Sequence, residues 1–284
     1  MTMTRTTRPR KTPAARADRA THDDNLRGKV ALITGGARRV GRAIALRLAA
    51  QGMDIAITCR SSSAEAQRVV REIRAMGRRA VAIEVDLAQV QAADEVFAAF
   101  TQTFDRLDVL VNNASIFDRT PIGAITPAAL EGNWAVNARA PILLRQKFAP
   151  LLAARAKVDA KTPAHRRSRT KNPGRIVNFV DIHVLGQPLK NYLAYNVSKA
   201  ALLEATMTAA MELAPKITVN AIAPGVVAWA ESYTVPQQKR YMRRVPLGRP
   251  GTPEDAADAV LFLVRDADYC TGQVIRLDGG RLWT

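Results

Sequence analysis

Short apolar runs rich in β-branched residues alternate along the chain with longer segments in which apolar residues recur every three or four positions. In chain order the first four runs are KVALIT (residues 29–34), MDIAITC, AVAIEVD and LDVLVNNAS. The helical patterns after the first two runs end at glycines, Gly52 and Gly77. Continuous apolar strands that are each followed by a helix are typical of a parallel sheet covered on both faces.

The alternation continues through the second half of the chain. RIVNFVD lies between two further helical patterns, and ITVNAIAPG follows the second of them. The last helix begins near Thr252, with Asp255 three residues on, as in a capping box. Right-handed crossovers between such units give a doubly wound fold. We therefore predict a Rossmann-type α/β domain over residues 28–284, with a mainly seven-stranded parallel sheet and helices on both faces.

The formal net charge of +17 is concentrated in two segments. Residues 1–27 carry a net charge of +4 and residues 155–175 a net charge of +7. Both are rich in Thr, Ala and Pro and lack apolar periodicity, which predicts a disordered basic tail and an exposed basic insertion. Neither contains interleaved aromatic residues or a recognition motif, so we expect no nucleic-acid partner. Contact of the tail with an anionic surface stays open as an alternative.

Several classes of protein are excluded. No apolar stretch approaches the roughly 20 residues that span a bilayer, so we expect no membrane association. The two cysteines and three histidines form no metal-ligand pattern, and no metal is predicted. The low cysteine content favours a reducing cytoplasm. The tail lacks the apolar core of a secretory signal, although its Arg- and Thr-rich composition is also found in some transit peptides.

A glycine-rich turn, TGGARRVG, stands between the first strand and the first helix. Gly35 allows a tight turn, and Gly41 lets the helix pack close to the sheet. The helix N-terminus presents free N–H groups and a positive dipole end to a pyrophosphate. We expect Gly35, Arg38, Arg39 and Val40 to bind it. Arg39 occupies the place of the usual middle glycine, from which it can cover the phosphates and reach toward the substrate.

The end of the second strand indicates which dinucleotide binds. An NAD site usually places Asp or Glu there, about 20 residues beyond the glycines, to bind the ribose hydroxyls. This chain has Cys59 followed by Arg60 and Ser61. A guanidinium suits a 2′-phosphate. We therefore predict NADPH as the cofactor, with Arg60 and Ser61 among its ligands.

Tyr195 and Lys199 lie four residues apart and hence on one helix face. A nearby ammonium favours the phenolate and makes the tyrosine a better proton donor at neutral pH. We therefore expect Lys199 to lower the pKa of Tyr195. The pair follows the expected fifth strand, roughly 160 residues after the glycine-rich turn.

In the order and spacing of these motifs the chain resembles the short-chain dehydrogenase/reductase family, from residue 29 onward. The resemblance implies catalytic roles for Tyr195 and Lys199, and an Asn137 that kinks the fourth helix and holds a proton-relay water. It also implies a homotetramer. Further cofactor contacts that it implies are Asp86, Leu87, Asn113, Ala114, Ser115, Lys199, Pro224, Gly225 and Val226.

The chain departs from the family pattern at the serine that normally polarises a substrate carbonyl. Asp181 stands 14 residues before Tyr195, about the required distance, and no Ser or Thr lies between them. A carboxylate stabilises a developing oxyanion poorly because its charge has the wrong sign. It is well suited to delivering a proton to a ring nitrogen, or to accepting hydrogen bonds from an amino-pyrimidine. The substitution therefore favours reduction of a C=N bond.

Three departures together, Arg39, the Ser115–Phe117 pair and Asp181, resemble the pteridine reductases and bacterial dihydromonapterin reductases of the family. The resemblance implies that Arg39 touches cofactor and pterin, while Phe117 stacks on the pterin and sandwiches it against the nicotinamide. The substrate site would comprise Arg39, Phe117, Asp181 and Tyr195. A substrate lid is expected at about residues 226–250, which include Trp229, Tyr233, Tyr241 and Met242.

The sequence thus predicts NADPH-dependent reduction of a pterin. Hydride would pass to a ring carbon, and Tyr195, or Asp181 through water, would protonate the adjacent nitrogen. One alternative is a carbonyl reductase of the same family, acting on a 3-oxoacyl thioester or a ketone. Another is a cofactor-sensing binding protein whose tail contacts nucleic acid or a protein partner. The identity of the pterin, and the acceptance of folate, stay open.

Overall fold

A computed structural model describes residues 26–157, 172–229 and 233–284. Their seven strands form one sheet in which every neighbouring pair is parallel. The spatial order is β3-β2-β1-β4-β5-β6-β7. The predicted seven-stranded parallel sheet is therefore confirmed. The strands are β1 (Val30–Ile33), β2 (Asp54–Cys59), β3 (Ala80–Glu84), β4 (Val109–Asn112), β5 (Gly174–Phe179), β6 (Ile217–Pro224) and β7 (Val274–Leu277).

Helices cover both faces of this sheet. One apolar cluster joins the strands to α1, α2 and α8, and another joins them to α3, α5 and the end of α6. Every residue of β1, β2, β4 and β5 is buried, which explains their continuous apolar character. The helices are α1 (Arg39–Ala50), α2 (Ser63–Ala75), α3 (Ala92–Thr101), α4 (Pro127–Trp134), α5 (Ala140–Ala153), α6 (Leu193–Glu212), α7 (Val235–Met242) and α8 (Pro253–Arg265).

Two local features of the helices follow from the sequence. Thr252 caps α8 through the predicted capping box with Asp255. The predicted fourth helix is divided, because a π-helical turn at Ala135–Arg139 joins α4 to α5. None of the helices in the described part of the chain has the length and hydrophobicity that a membrane-spanning segment needs.

Most of the two predicted basic segments lies outside the described residues, namely residues 1–25 of the tail and residues 158–171 of the insertion. Residues 230–232 of the expected lid also lie outside them. The boundary of the tail needs a correction. Leu26 is only 2% exposed and packs in the core cluster with α1 and α2, so the folded part begins before residue 28.

The order of the strands also places the functional site. From β1 the chain builds the sheet outward through β2 and β3, and from β4 it builds in the opposite direction. Ligands of such sheets bind in the crevice at the carboxyl ends of the strands, where the order reverses. The site is therefore expected between the ends of β1 and β4.

Candidate active site

A cavity of about 470 Å³ opens at the ends of β1, β4, β5 and β6. Most of the residues singled out in the sequence line it, although they come from positions more than 190 residues apart. They are Gly35, Arg38, Arg39, Val40, Arg60, Asn113, Ala114, Ser115, Phe117, Asp181, Tyr195, Lys199, Pro224, Gly225 and Val226.

Four expected site residues do not line this cavity, and each has a structural reason. Ser61 is exposed, and the next residue, Ser62, faces the cavity instead. Leu87 is buried in the core on the α3 face of the sheet. Asp86 accepts a hydrogen bond from the Ala88 amide at 3.0 Å, which fixes its own turn. The fourth, Asn137, is buried and is described below.

The glycine-rich turn has the shape of an anion site. α1 begins at Arg39, and the extended Arg38 before it does not cap the helix with its side chain. The first N–H groups of α1 are therefore oriented toward the cavity without a side-chain cap. Arg39 has φ of 50°, so it keeps the left-handed backbone that the usual glycine would adopt. A Cβ on Gly41 would lie 2.1 Å from the Gly35 carbonyl oxygen, which explains the glycine there.

The loop after β4 braces this turn. The Thr34 hydroxyl oxygen accepts hydrogen bonds from the Asn113 and Ala114 amides, both at 3.0 Å. The Asn113 side-chain amide donates to the Thr34 carbonyl at 2.9 Å and to the Gly35 carbonyl at 3.3 Å. Asn113 thus acts on the turn itself. Thr34 was not singled out in the sequence, since its role depends on a residue nearly 80 positions away.

The end of β2 presents Cys59, Arg60 and Ser62 to the cavity and no carboxylate. A carboxylate does lie nearby on the next strand. Glu84 is paired with Cys59 in the sheet and accepts a hydrogen bond from the Ser63 hydroxyl. Burial, followed by the charge of Glu84, raises the pKa of Cys59. Glu84 was not predicted here because the pairing of β2 with β3, which brings it beside Cys59, joins residues that are distant in sequence.

The ionisable groups meet just after β5. One Asp181 carboxylate oxygen accepts a hydrogen bond from the Tyr195 hydroxyl at 2.7 Å, and the other accepts one from the His183 amide at 2.8 Å. The Lys199 ammonium donates to the Phe179 carbonyl at 2.7 Å. Tyr195 and Lys199 are 6% and 2% exposed. A carboxylate, a phenol and an ammonium therefore share one poorly hydrated site.

The electrostatics of this group correct one expectation. Burial, followed by the negative charge of Asp181, raises the pKa of Tyr195 well above its ordinary value, so the expected lowering by Lys199 is wrong for the free protein. The Lys199 nitrogen lies 5.9 Å from the centre of the tyrosine ring, whereas Asp181 is in direct contact with the hydroxyl. Burial lowers the pKa of Lys199 to about 8, against an opposing contribution from Asp181. Tyr195 is consequently a protonated donor at neutral pH.

Asn137 lies in the π-helical turn, as the expected kink requires, but its side chain is fully engaged. Its amide oxygen accepts from the Ser115 hydroxyl at 3.0 Å and the Ile116 amide at 2.9 Å. Its amide nitrogen donates to the Ile116 carbonyl and the Ser198 hydroxyl, both at 3.0 Å. These bonds hold the loop after β4 against α6. The catalytic role that the resemblance implies for Asn137, through a proton-relay water, stays a prediction.

Aromatic side chains form one wall of the cavity. The Phe117 ring stacks on Tyr192 at 4.4 Å and meets Tyr195 edge-on at 4.8 Å. Tyr192 was not singled out in the sequence. On the lid, Trp229 contacts the ring of Tyr233 at 5.6 Å.

Arg39 connects the glycine-rich turn to the lid. Its guanidinium donates to the Ala228 and Trp229 carbonyls at 2.8 and 2.7 Å. The two ends of the cavity are therefore linked by one side chain. Within the three described ranges, no cluster of three or more His, Cys, Asp or Glu could hold a metal ion.

A parallel sheet with a glycine-rich turn at its switch point and a Tyr–Lys pair on the neighbouring helix defines an oxidoreductase of the nucleotide-dependent class. A family profile described as enoyl-(acyl carrier protein) reductase matches residues 35–281. The chain belongs to the short-chain dehydrogenase/reductase family.

Relatives of known function agree with this membership. A 3-oxoacyl-[acyl-carrier-protein] reductase of Synechocystis sp. is 32% identical over 90% of this chain and 97% of its own. Galactitol 2-dehydrogenase of Agrobacterium fabrum is also 32% identical, over 90% and 98% of the two chains. A blue fluorescent protein from a metagenomic library, solved in complex with NADPH, superimposes with a TM-score of 0.77 at 34% identity, covering 90% and 99%.

Proposed function

We propose that this protein is an NADPH-dependent reductase that reduces a C=N bond of a pterin ring, converting a dihydropterin to a tetrahydropterin. The observation that carries the proposal is the Asp181 carboxylate, which lines the cavity and accepts a hydrogen bond from the Tyr195 hydroxyl at 2.7 Å. Membership of the short-chain dehydrogenase/reductase family supports an oxidoreductase. The choice of a pterin as the substrate goes beyond family membership and depends on Asp181.

The residues around the cavity fit a phosphorylated dinucleotide. The uncapped start of α1 suits the pyrophosphate, and the cavity lining includes the Arg38 and Arg60 guanidinium groups, of which Arg60 would pair with a 2′-phosphate. Lys199 would hold the nicotinamide ribose, and residues 224–226 would contact the nicotinamide. When bound, NADPH supplies the hydride. The NADPH complex of a protein that is 34% identical adds support for this choice of cofactor.

Asp181 favours a nitrogen heterocycle over a carbonyl. An ionised carboxylate only accepts hydrogen bonds, and each of its oxygens has more than one lone pair. The bonds from Tyr195 and His183 leave room for one more from a substrate N–H. A ketone oxygen would gain negative charge next to the carboxylate as the hydride arrives, which raises the barrier. An amino-pyrimidine or a ring nitrogen that gains a proton is stabilised there instead.

Tyr195 and Asp181 act together as the proton source. The raised pKa keeps the Tyr195 hydroxyl protonated at neutral pH. In the free protein its proton lies on the hydrogen bond to Asp181. On hydride transfer the hydroxyl would turn to the ring nitrogen and give up that proton, and the phenolate left behind would recover one from water. Phe117 and the lid residues Trp229 and Tyr233 supply flat apolar surface that suits a fused ring and excludes water from the reacting bond.

The test is NADPH oxidation, followed by absorbance, with dihydrobiopterin or dihydromonapterin against an acetoacetyl thioester, and NADH in place of NADPH. We expect pterin turnover that prefers NADPH. Asp181→Asn keeps the shape and removes the charge, and it should lower pterin turnover by about 10²–10⁴-fold. Asp258→Asn, an exposed change on α8, is the matched control. Turnover of the thioester alone, or full pterin turnover by Asp181→Asn or Asp181→Ser, contradicts the proposal.

Carbonyl reduction is the second candidate, and the activities of the relatives, a 3-oxoacyl-[acyl-carrier-protein] reductase and a galactitol dehydrogenase, favour it over pterin reduction. In this alternative Tyr195 protonates the substrate oxygen directly. A hydroxyl donor for the oxyanion would have to come from Ser115, whose proton is shared between Asn137 and the Ile116 carbonyl. Asp181→Ser discriminates between the candidates, because a serine at this position should raise ketone turnover and lower pterin turnover.

The binding-protein alternative predicts a different dependence on the tail. Deleting residues 1–25, which leaves the buried Leu26 in place, should keep the activity of an enzyme and abolish partner binding by a sensor.

Tetramer formation is also part of the proposed function. Exposed apolar side chains on α4 and α6, Leu130, Trp134 and Val197, support self-association. Light scattering should give four copies for the wild type and fewer for Trp134→Glu.

A further inference from the structure

Tyr241 on the lid helix α7 is held firmly at the cavity wall. Its ring meets Trp229 edge-on, with centroids 5.6 Å apart. The Arg281 guanidinium lies 5.1 Å from the ring centre on another side. Arg281 is itself buried and donates to the Gln187 side-chain oxygen at 3.1 Å. These contacts hold the tyrosine ring in the free protein.

The hydroxyl of Tyr241 has no such partner. It is buried, and no hydrogen bond to it is formed by the described residues. The Val226 amide stabilises the ionised phenol, but an N–H can only donate, so the O–H proton has no acceptor among the described residues. A Cβ on Gly225 would lie 2.9 Å from the hydroxyl, so this glycine leaves the space that the oxygen occupies. A buried polar group without a partner is costly, and such groups are rare without a functional reason.

The surroundings of the hydroxyl define what it can bind. Tyr241 lines the same cavity as Asp181, and the negative charge of Asp181 acts on it. Burial raises the pKa of Tyr241 to about 12, against smaller opposing contributions from Arg281 and the Val226 amide. The group is thus an O–H donor at neutral pH, and its oxygen is covered in the free protein. An acceptor atom reaches it only from a molecule that enters the cavity and shifts α7 outward.

We propose that the Tyr241 hydroxyl recognises the substrate, donating a hydrogen bond to an acceptor oxygen or nitrogen that lies apart from the reacting bond. The substrate class is accordingly a reducible ring or ketone with a second polar group, and substrate binding completes the lid. This rests on the proposed function to the extent that the cavity must bind a reducible substrate. It does not depend on whether the reacting bond is C=N or C=O.

Tyr241→Phe tests the proposal because it removes only the unpartnered oxygen. The free variant should melt at the same temperature as the wild type or higher, since the change relieves an unsatisfied buried group. The substrate KM should rise about tenfold, the cost of one lost hydrogen bond. We expect kcat within about twofold of wild type and an unchanged NADPH Kd, because the hydroxyl takes no part in proton transfer. Tyr269→Phe, at a fully exposed tyrosine, is the matched control.

Gly225→Ala provides a second test that keeps the hydroxyl. The added methyl group would displace the Tyr241 oxygen. Gly225→Ala should therefore raise the substrate KM when Tyr241 is present, and raise it much less when it is combined with Tyr241→Phe. A hydroxyl without a ligand-binding role predicts equal effects in both backgrounds.

Two results would overturn the proposal. A lower melting temperature for Tyr241→Phe would show that the hydroxyl already has a partner within the protein, and an unchanged KM would show that the substrate does not use it. If the wild type reduces ketones and not pterins, the proposed function fails separately. The Tyr241 comparison is then made with the ketone, and its outcome still decides the proposal.

Discussion

The two ends of the cavity are built on different principles. At the dinucleotide end the backbone of the glycine-rich turn is braced by side chains such as Thr34 and Asn113, whose hydrogen bonds close within the protein. At the substrate end Asp181, Tyr195 and Lys199 are crowded into a site from which water is largely excluded, and the pKa values of the tyrosine and the lysine are displaced in opposite directions. The first arrangement is a rigid binding frame. The second carries an electrostatic cost that a substrate can relieve, which is typical of a reaction centre.

The largest effect is expected from a substitution that changes the substrate end of the cavity alone. Tyr195→Phe removes the proton donor and leaves the ring to pack edge-on against Phe117. We expect kcat to fall by about 10²–10⁴-fold, the usual contribution of a positioned acid. The NADPH Kd, measured by fluorescence titration, should stay unchanged because the dinucleotide end is untouched. More than a tenth of wild-type kcat in this variant would mean that Asp181 protonates the substrate without the tyrosine.

The next largest effect is expected from a substitution that changes the dinucleotide end of the cavity alone. Gly41→Ala places a methyl group 2.1 Å from the Gly35 carbonyl oxygen and 2.7 Å from the Asn113 amide nitrogen. Overpacking of this kind costs about 1–3 kcal/mol of unfolding free energy, and the NADPH Kd should rise with it. The kcat at saturating NADPH should change little.

A glycine in another helix supplies the control for that experiment. Gly132 lies in α4, and its nearest neighbour to a new Cβ is the Ile116 methyl at 3.7 Å, an ordinary contact. Gly132→Ala should therefore be neutral or stabilising by about 0.5–1 kcal/mol in denaturant unfolding. If both variants lose the same stability, the close approach at Gly41 is not what sets the shape of the turn.

The same contrast separates what the sequence could predict from what it could not. The strand–helix alternation and the spacing of Tyr195 and Lys199 depend on residues that are near in sequence, so the fold and the helix face were predictable. The raised pKa of Tyr195 depends on burial and on Asp181 from another element. Asn137 and Thr34 form their hydrogen bonds with residues 21 to 80 positions away. No local pattern reports such contacts, which is why neither Thr34 at the dinucleotide end nor the raised pKa of Tyr195 at the substrate end was predicted.

A smaller effect sharpens the choice of dinucleotide. Arg60→Ala removes an exposed guanidinium at the end of β2, and the NADPH Kd should rise by about tenfold or less, since solvent screens the charge. The NADH Kd should not change, because NADH has no 2′-phosphate. Arg68→Ala, an exposed change on α2, is the control. Glu84→Gln should act in the opposite direction and tighten NADPH binding. Equal losses for NADPH and NADH would assign Arg60 to the shared part of the cofactor.

The smallest expected effect concerns Lys199, which faces both ends of the cavity. Its pKa is about 8 in the folded protein against 10.5 ordinarily, because burial disfavours the charge. Between these two pH values the unfolded chain binds the proton that the folded protein has lost. The unfolding free energy should therefore rise with pH across that window relative to Lys199→Met, and denaturant titrations at pH 8 and 10 measure it. An identical pH dependence in both proteins would contradict the lowered pKa.

The same titration should appear in catalysis. In the proposed function the Lys199 ammonium holds the nicotinamide ribose, and kcat/KM reports the ionisation of the free enzyme. We expect kcat/KM to halve near pH 8 and to decline further above it, while the raised pKa of Tyr195 contributes no loss in that range. Lys199→Arg keeps a charge at every accessible pH and should flatten this decline even if its overall activity is lower. A decline that survives in Lys199→Arg belongs to another group, and the two ends of the cavity are then not coupled through the lysine.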